Sequence, residues 1–182
     1  MWLRHPLRIG AIAPSSRALG RKMAAQIGNP EGKRVVELGG GTGAITRALL
    51  AYGISHENLI VVERDPVMYQ ALRRRFPTLP VLEGDAADLA GLLARAGIGP
   101  VDAVISGLPL LGMPVMVQEA ILAAAFAAMG PDGRFIQFTY GLSVPVRLSV
   151  LGKLGLIARS VGKVWRNVPP ARVWLFERQP TG

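Results

Sequence analysis

The chain has 182 residues, a net charge of +9, a half-hydrophobic composition and no cysteine. That length fits one domain with a sizeable core, and the lack of cysteine excludes disulfides, thiolate metal sites and a thiol nucleophile. His5 and His56 are the only histidines, so neither a histidine-bound metal nor a Ser-His-Asp triad is expected.

Residues 1–14 mix Trp2, Leu3, Leu7, Ile9 and Ile12 with Arg4 and Arg8, broken by Pro6, Gly10 and Pro14. Ser15 or Ser16 is placed to cap a helix from about Arg17 to Ile27, with Leu19, Met23 and Ile27 on one face and Arg17 and Arg21 on another. Lys33 to Leu38 reads as a short buried strand that ends in Gly39-Gly-Gly41-Thr-Gly43, and Ala44 to Leu50 has helical spacing. A second strand, Leu59 to Glu63, leads through Pro66 into a helix that reaches about Phe76. Its Arg73-Arg74-Arg75 run reads as a solvated helix end favoured by the helix dipole. Leu79 to Leu82 is a third strand, ending in Glu83-Gly84-Asp85-Ala86, and Asp88 to Ala96 is helical. Val101 to Ser106 is a fourth strand, followed by Gly107-Leu108-Pro109. A long Ala-rich helix from Pro114 to Met129 is stopped by Gly130-Pro131-Asp132-Gly133, and Arg134 to Tyr140 is the fifth strand. After a helix-like stretch from Pro145 to Lys153, Leu156 to Val168 and Ala171 to Arg178 read as a hairpin turning at Pro169-Pro170. The predicted fold is α/β: a doubly wound, mainly parallel seven-stranded sheet with an antiparallel C-terminal strand.

In such a sheet a ligand sits outside the carboxyl ends of the strands. Those ends deliver the glycine loop, Glu63, Asp85, Ser106-Gly-Leu-Pro109 and Tyr140. Glycines at alternate positions let a ligand approach the backbone. Glu63, twenty positions past Gly43, is spaced to accept the two hydroxyl hydrogens of a ribose. Asp85 can accept from an adenine amine and the Ala86 backbone can donate to a ring nitrogen. The plainer roles are a helix cap for Asp85 and a structural turn for Ser106 to Pro109.

The segments Glu37-Leu-Gly39-Gly-Gly41-Thr-Gly43, Glu63 and Gly84-Asp85-Ala86 resemble the class I S-adenosylmethionine-dependent methyltransferases. A nicotinamide-binding loop of the form G-x-G-x-x-G fits less well, because the third glycine follows the second by two positions. Gly10-Ala-Ile-Ala-Pro14-Ser-Ser16-Arg17, Ser106-Gly-Leu-Pro109, Gln137-Phe-Thr-Tyr140-Gly141 and Arg166-Asn-Val-Pro-Pro-Ala-Arg172-Val-Trp174 look like the bacterial phospholipid N-methyltransferases. That resemblance implies stepwise methylation of phosphatidylethanolamine to phosphatidylcholine, with S-adenosyl-L-methionine as cofactor. Cofactor contacts are expected at Ser15, Glu37, Gly39, Gly41, Thr42, Glu63, Asp85, Ala86 and Ser106. Tyr140, with Ser106 or with backbone carbonyls and water, is expected to orient the amine and relay its proton, and Arg17, Arg21, Arg166 and Arg172 are candidates for the lipid phosphate.

Ribosomal RNA adenine dimethylases are similar in the cofactor core. They carry an Asn-Leu-Pro-Tyr type motif where this chain has Ser106-Gly-Leu-Pro109-Leu110, and a helical C-terminal domain where this chain ends after its hairpin. RNA adenine N6-methylation is therefore the alternative, with a non-catalytic membrane-binding module as a second. The lipid reading divides the chain into a lid and membrane-contacting segment at 1–30 and one methyltransferase domain at 31–182.

Charge placement points the same way. Arg4, Arg8, Arg17, Arg21 and Lys22 stand in residues 1–30 with no acid, and residues 134–182 hold eight Lys or Arg against Glu177 alone. Basic ends flanking a mildly acidic middle predict an anionic partner met by the termini, the plainer reading being a merely soluble basic surface. The apolar, arginine-bearing start suits an anionic membrane surface, and the motif departures above argue against nucleic acid. No apolar run approaches the ~20 residues of a bilayer-crossing helix, and Met1 to Arg8 lacks the apolar core of a secretory signal. The expected location is cytoplasmic, peripheral to the inner face of the cytoplasmic membrane.

Overall fold

The computed structural model describes residues 16–180. Ser15 and residues 1–14 of the expected membrane-contacting segment lie outside the described residues.

The first helix, α1 (Arg17–Ala24), continues as a 3₁₀ turn over Ala25–Ile27. Ser16 caps it, its hydroxyl accepting from the Leu19 N–H at 3.1 Å, which satisfies one of the amides a helix start leaves unpaired. Leu19, Met23 and Ile27 are buried, as their spacing predicts. There follow β1 (Val35–Leu38), α2 (Ala44–Tyr52), β2 (Leu59–Glu63), α3 (Pro66–Arg75), β3 (Val81–Glu83), α4 (Leu89–Arg95) and β4 (Val101–Ser106). The chain closes with α5 (Val115–Ala128), β5 (Met129–Thr139), α6 (Leu148–Leu154), β6 (Leu156–Val164) and β7 (Ala171–Arg178).

One sheet holds all seven strands in the order β3-β2-β1-β4-β5-β7-β6. Among the described strands only β7 runs antiparallel, pairing with β5 on one side and β6 on the other. β1 and β2 are buried along their whole length, as continuous apolar runs must be when helices cover both faces of a parallel sheet. One core layer joins Leu89, Leu122, Val150 and Phe176 on the α4–α5–α6 face. The other joins Leu19, Leu49, Leu72 and Ile136 on the α1–α2–α3 face. The strand order reverses beside β1, so the crevice between the carboxyl ends of β1 and β4 is the topological switch point.

Several predicted boundaries move. Gly130 to Gly133, expected as a stop, lies inside β5: Met129 already pairs with Val101, and a register shift takes up the extra residues before Arg134 pairs with Ala103. A bulge of this kind is where a strand tolerates Pro and Gly. β3 starts at Val81, and Pro145 precedes α6 rather than opening it. β6 ends at Val164, because Asn167 builds a turn: its Nδ2 donates to the Pro169 carbonyl at 2.7 Å, while its Oδ1 accepts from the Ser16 N–H at 2.9 Å. That second bond fastens the start of α1 to the β6–β7 turn. No described helix is long and apolar enough to cross a membrane.

Candidate active site at the carboxyl edge of the sheet

The glycine loop leaves β1 with φ of 74° at Gly39, 50° at Gly41 and 75° at Gly43. At Gly41 the space around a Cβ is open, so the demand for glycine there is conformational. Gly107, after β4, is required for a different reason: its Cβ would lie 2.9 Å from the Gly39 carbonyl oxygen, so two loops meet with only backbone between them.

Glu63, at the end of β2, holds this loop. Its Oε2 accepts from the Gly41 N–H at 2.9 Å and its Oε1 from the Asp65 N–H at 2.8 Å. A carboxylate offers about four lone-pair sites, so each oxygen keeps capacity for one more donor, such as a ribose hydroxyl. Asp85 is exposed: one oxygen caps the following turn by accepting from the Ala87 N–H at 2.9 Å, and the other lies 3.2 Å from Arg64. The plainer cap role is therefore present, and the second oxygen stays at the solvent edge.

Glu37 lies beneath the loop, fully buried, with Oε2 accepting from the Thr46 hydroxyl at 2.6 Å and Oε1 without a partner. Burial pushes its carboxyl up to about 8; the Thr46 hydrogen bonds oppose this and the nearby Glu63 adds to it. The site thus has a neutral acid under the loop and a second carboxyl within it. Arg75 adds a support that the sequence reading assigned to solvent, its Nη1 donating to the Thr42 carbonyl at 2.7 Å. Thr42 itself is exposed on the loop, and Ala86 is buried beside Asp85.

Ser106 and Tyr140, the expected catalytic residues, are not hydrogen-bonded to each other. Ser106 is completely buried, its hydroxyl accepting from the Leu108 N–H at 3.3 Å, so it shapes the β4 loop. Tyr140 follows β5 on the opposite core face, half-buried, its ring edge-on to Phe138 at 5.5 Å. Its hydroxyl is buried without a hydrogen-bond partner. Burial raises the phenol above its usual range, against a smaller opposite pull from Asn167, so at neutral pH it acts as a protonated hydrogen-bonding group and not as a base.

Among the phosphate candidates, Arg166 is exposed on the β6–β7 turn, and Arg17 and Arg21 are exposed on α1. Arg172 is half-buried, with Nη1 donating to the Ser160 hydroxyl at 3.3 Å and Nε buried without a partner.

Two glutamines went unassigned at the level of sequence. Gln118 in α5 donates to the Leu110 and Met113 carbonyls, both at 3.0 Å, and accepts from the Arg147 N–H at 2.9 Å. It therefore binds the β4 loop to the start of α6. Gln137 in β5 donates to the Leu108 carbonyl at 2.9 Å and keeps a buried Oε1 without a partner. Their signal was a polar residue at an inward position of an apolar element, which marks a network without naming its partners. Two recesses, of about 630 Å³ beside α3 and β3 and about 430 Å³ at the start of β4 and β5, lie away from these groups.

Residues 35–133 match the family described as Methyltransferase domain. The chain is 36% identical over 141 residues to the ornithine lipid N-methyltransferase of Singulisphaera acidiphila, covering 76% of this chain and 73% of that one. It is 33% identical over 91 residues to the ribosomal RNA small subunit methyltransferase A of Chlorobium chlorochromatii, where the match spans half of this chain and about a third (34%) of that one. The fold is similar to a TehB-like SAM-dependent methyltransferase from Corynebacterium glutamicum (TM-score 0.65, 20% identity, 88% of each chain). It is also similar to the magnesium protoporphyrin IX methyltransferase of Synechocystis with bound SAM (TM-score 0.67, 17% identity, 90% of this chain and 79% of that one).

Proposed function

The chain belongs to the methyltransferase domain family, and from that premise we propose that it methylates the amine of a membrane lipid, phosphatidylethanolamine and its methylated intermediates. The observation that carries the reading is the junction, along one sheet edge, of a cradle suited to a nucleoside with an acid-free basic surface. The residues fit S-adenosylmethionine: a left-handed glycine loop that admits close approach, a Glu63 carboxyl with two acceptor sites to spare, and a buried, unpartnered Glu37 oxygen below.

When bound, S-adenosylmethionine supplies a methyl group already activated by its sulfonium. The chain's residues have to hold an amine in line behind that methyl, and such positioning supplies ~7 to 11 kcal/mol of a barrier. Gly39, Gly41 and Thr42 present backbone to the cofactor, Glu63 takes the ribose, and Asp85 with the Ala86 backbone takes the base. Ser106 fixes the turn that carries the Leu108 carbonyl, which Gln137 holds from the other side. Tyr140, protonated at neutral pH, orients the amine and relays its proton to water, while its ring tolerates the growing cation by ~0.5 to 2 kcal/mol. Arg166, with Arg17 and Arg21, meets the headgroup anion.

The relative from Singulisphaera, an ornithine lipid N-methyltransferase, makes an ornithine headgroup the second candidate amine. Transfer of labelled methyl from S-adenosylmethionine to phosphatidylethanolamine, ornithine lipid and ribosomal RNA, run in parallel, tests the reading. Label in the phosphatidylethanolamine fraction is expected. Label in ornithine lipid alone would correct the headgroup, and label in RNA alone would overturn the lipid reading.

A further inference from the structure

Among the described residues, five of the six large apolar side chains that are at least 70% exposed gather in one region. Met116, Leu142, Leu148, Trp165 and Val168 are 72 to 82% exposed. Met116 opens α5 after β4, Leu142 and Leu148 follow β5, and Trp165 and Val168 form the β6–β7 turn. Because β4, β5 and β6 run the same way, all five stand on the carboxyl edge. Gln118 binds two of the three groups together through the Leu110 and Met113 carbonyls and the Arg147 N–H. Two exposed side chains stand outside this group: Ile157 begins β6 at the opposite edge, and Val67 opens α3 at the exit of β2. A monomer rarely gathers exposed apolar side chains on one edge without something to meet there.

Cations accompany them. Between Gly133 and Phe176 the chain has no acid, while Arg147, Lys163, Arg166 and Arg172 stand on or beside this edge. The Lys163 ammonium lies 3.7 Å from the centre of the Trp165 ring, presenting charge and indole together. An indole beside a cation suits the headgroup layer of a bilayer, where one side of the pair is apolar and the other wet.

We propose that this edge, built from the α5 start, the α6 start and the β6–β7 turn, is the face that docks flat on an anionic lipid bilayer, with Met116, Leu148 and Trp165 entering the headgroup layer. The proposal rests on the lipid reading and adds to it the orientation of the fold: the glycine loop then faces the bilayer, and a lipid amine reaches it without its acyl chains leaving the membrane. Charge decides among the occupants. Ser16 is held at this edge by its hydrogen bond to Asn167, and the sequence that precedes it, residues 1–15, carries Arg4 and Arg8 with no acid, so it shares the sign of the edge instead of complementing it. A second copy docked on the same face would set Arg166 and Lys163 against like charges. An anionic surface complements both the edge and that preceding sequence.

The absence of cysteine makes the test direct. Full-length Met116→Cys, Trp165→Cys and Ile157→Cys variants carry an environment-sensitive fluorophore and are mixed with vesicles of phosphatidylglycerol and phosphatidylcholine, or of phosphatidylcholine alone. Labels at 116 and 165 are expected to shift to the blue with anionic vesicles, at least fivefold less with neutral ones or in high salt, and the label at 157 to stay unchanged. Three results overturn the proposal: equal response at 157, labels at 116 and 165 already shielded before vesicles are added, or a signal that depends on protein concentration without vesicles. The second would assign the face to residues 1–15 and the third to another copy. As a functional arm, Met116→Glu with Leu148→Glu should lower methyl transfer to vesicle lipid at least tenfold and leave transfer to a dissolved short-chain amine lipid unchanged. An equal fall in both also overturns it. The label shifts decide the docking face independently of chemistry, whereas failure of the lipid reading shows as no methylation of any amine lipid.

Discussion

Along the carboxyl edge, the exits of β2 and β3 carry Glu63, Asp65, Glu83 and Asp85 within two short stretches, whereas the exits of β5 and β6 carry Arg147, Lys163 and Arg166 and no acid. The acidic side is dense in short hydrogen bonds: Glu63 holds the Gly41 and Asp65 amides, and Asp65 in turn caps α3 through the Val67 and Met68 amides. On the basic side, side chains such as Met116, Leu148 and Trp165 project into solvent. A rigid, preorganised region suits a ligand of one shape, because little ordering remains to be done on binding. An apolar and cationic region tolerates a partner without fixed shape, as a lipid surface is. β1 and β4 stand between the two, where Gly39 and Gly107 touch through backbone alone.

The sharpest way to break the comparison is on its acidic side. Glu63→Ala removes the acceptor of the Gly41 and Asp65 amides and, on the proposed function, of the ribose; hydrogen bonds to a charged group contribute about 1.5–3 kcal/mol each. S-adenosylmethionine affinity by titration calorimetry should fall at least ~100-fold, with vesicle binding unaltered. Undiminished affinity would remove Glu63 from the ribose site.

Glu37 tests whether that side has a buried neutral acid. Its folded pKa, about 8, lies above the unfolded value of 4.5, so the native state binds the extra proton between them. Stability must therefore fall as pH rises from about 5 to 8 and level off above that. Glu37→Gln, which cannot ionise, should abolish this slope and be more stable than the parent at pH 8 by on the order of a few kcal/mol. The same slope in both proteins, by chemical denaturation across pH, would show that Glu37 is not its source.

Tyr140 stands at the exit of β5, on the basic side. Tyr140→Phe keeps the ring and removes the hydroxyl, so turnover should drop roughly 100-fold, the low end of what one positioned proton-transfer group contributes, while cofactor affinity stays within about twofold. An unchanged rate would restrict Tyr140 to packing against Phe138.

The smallest effect belongs to single cations of the basic side. Arg166→Gln should weaken binding to anionic vesicles only severalfold, since one basic residue at such a surface contributes about 1 kcal/mol, and binding of S-adenosylmethionine should not change. A loss of cofactor affinity in this variant would show that the two sides are not separable.

Much of this protein was legible in its sequence. The seven strands and their direction followed from alternating apolar runs and helical periods, and Ser16 and Pro66 marked helix starts that the structure retains. The Gly41–Glu63 contact was foreseen as a shared ligand site, and the structure adds that the two residues bond each other directly. Arg75 was not legible as a loop support, because an arginine at a helix end satisfies the dipole argument whether or not a carbonyl lies within its reach. Asn167 was equally silent: a turn-forming residue next to Pro-Pro gives no sign that its partner is Ser16, 151 positions away.

By itself the sequence determined the class of fold, the glycine loop and the acid at its proper distance, because those depend on local periodicity and on backbone freedom at a few residues. The tertiary structure decided which groups meet across the chain. It placed Ser106 completely in the interior, where it shapes the β4 loop, and Tyr140 half-buried against the α1–α2–α3 core layer. It also assembled the apolar edge from Met116, Leu148 and Trp165, residues that share no period and no neighbourhood in the chain. Contacts between distant segments follow from strand order and loop packing, and no local pattern encodes them.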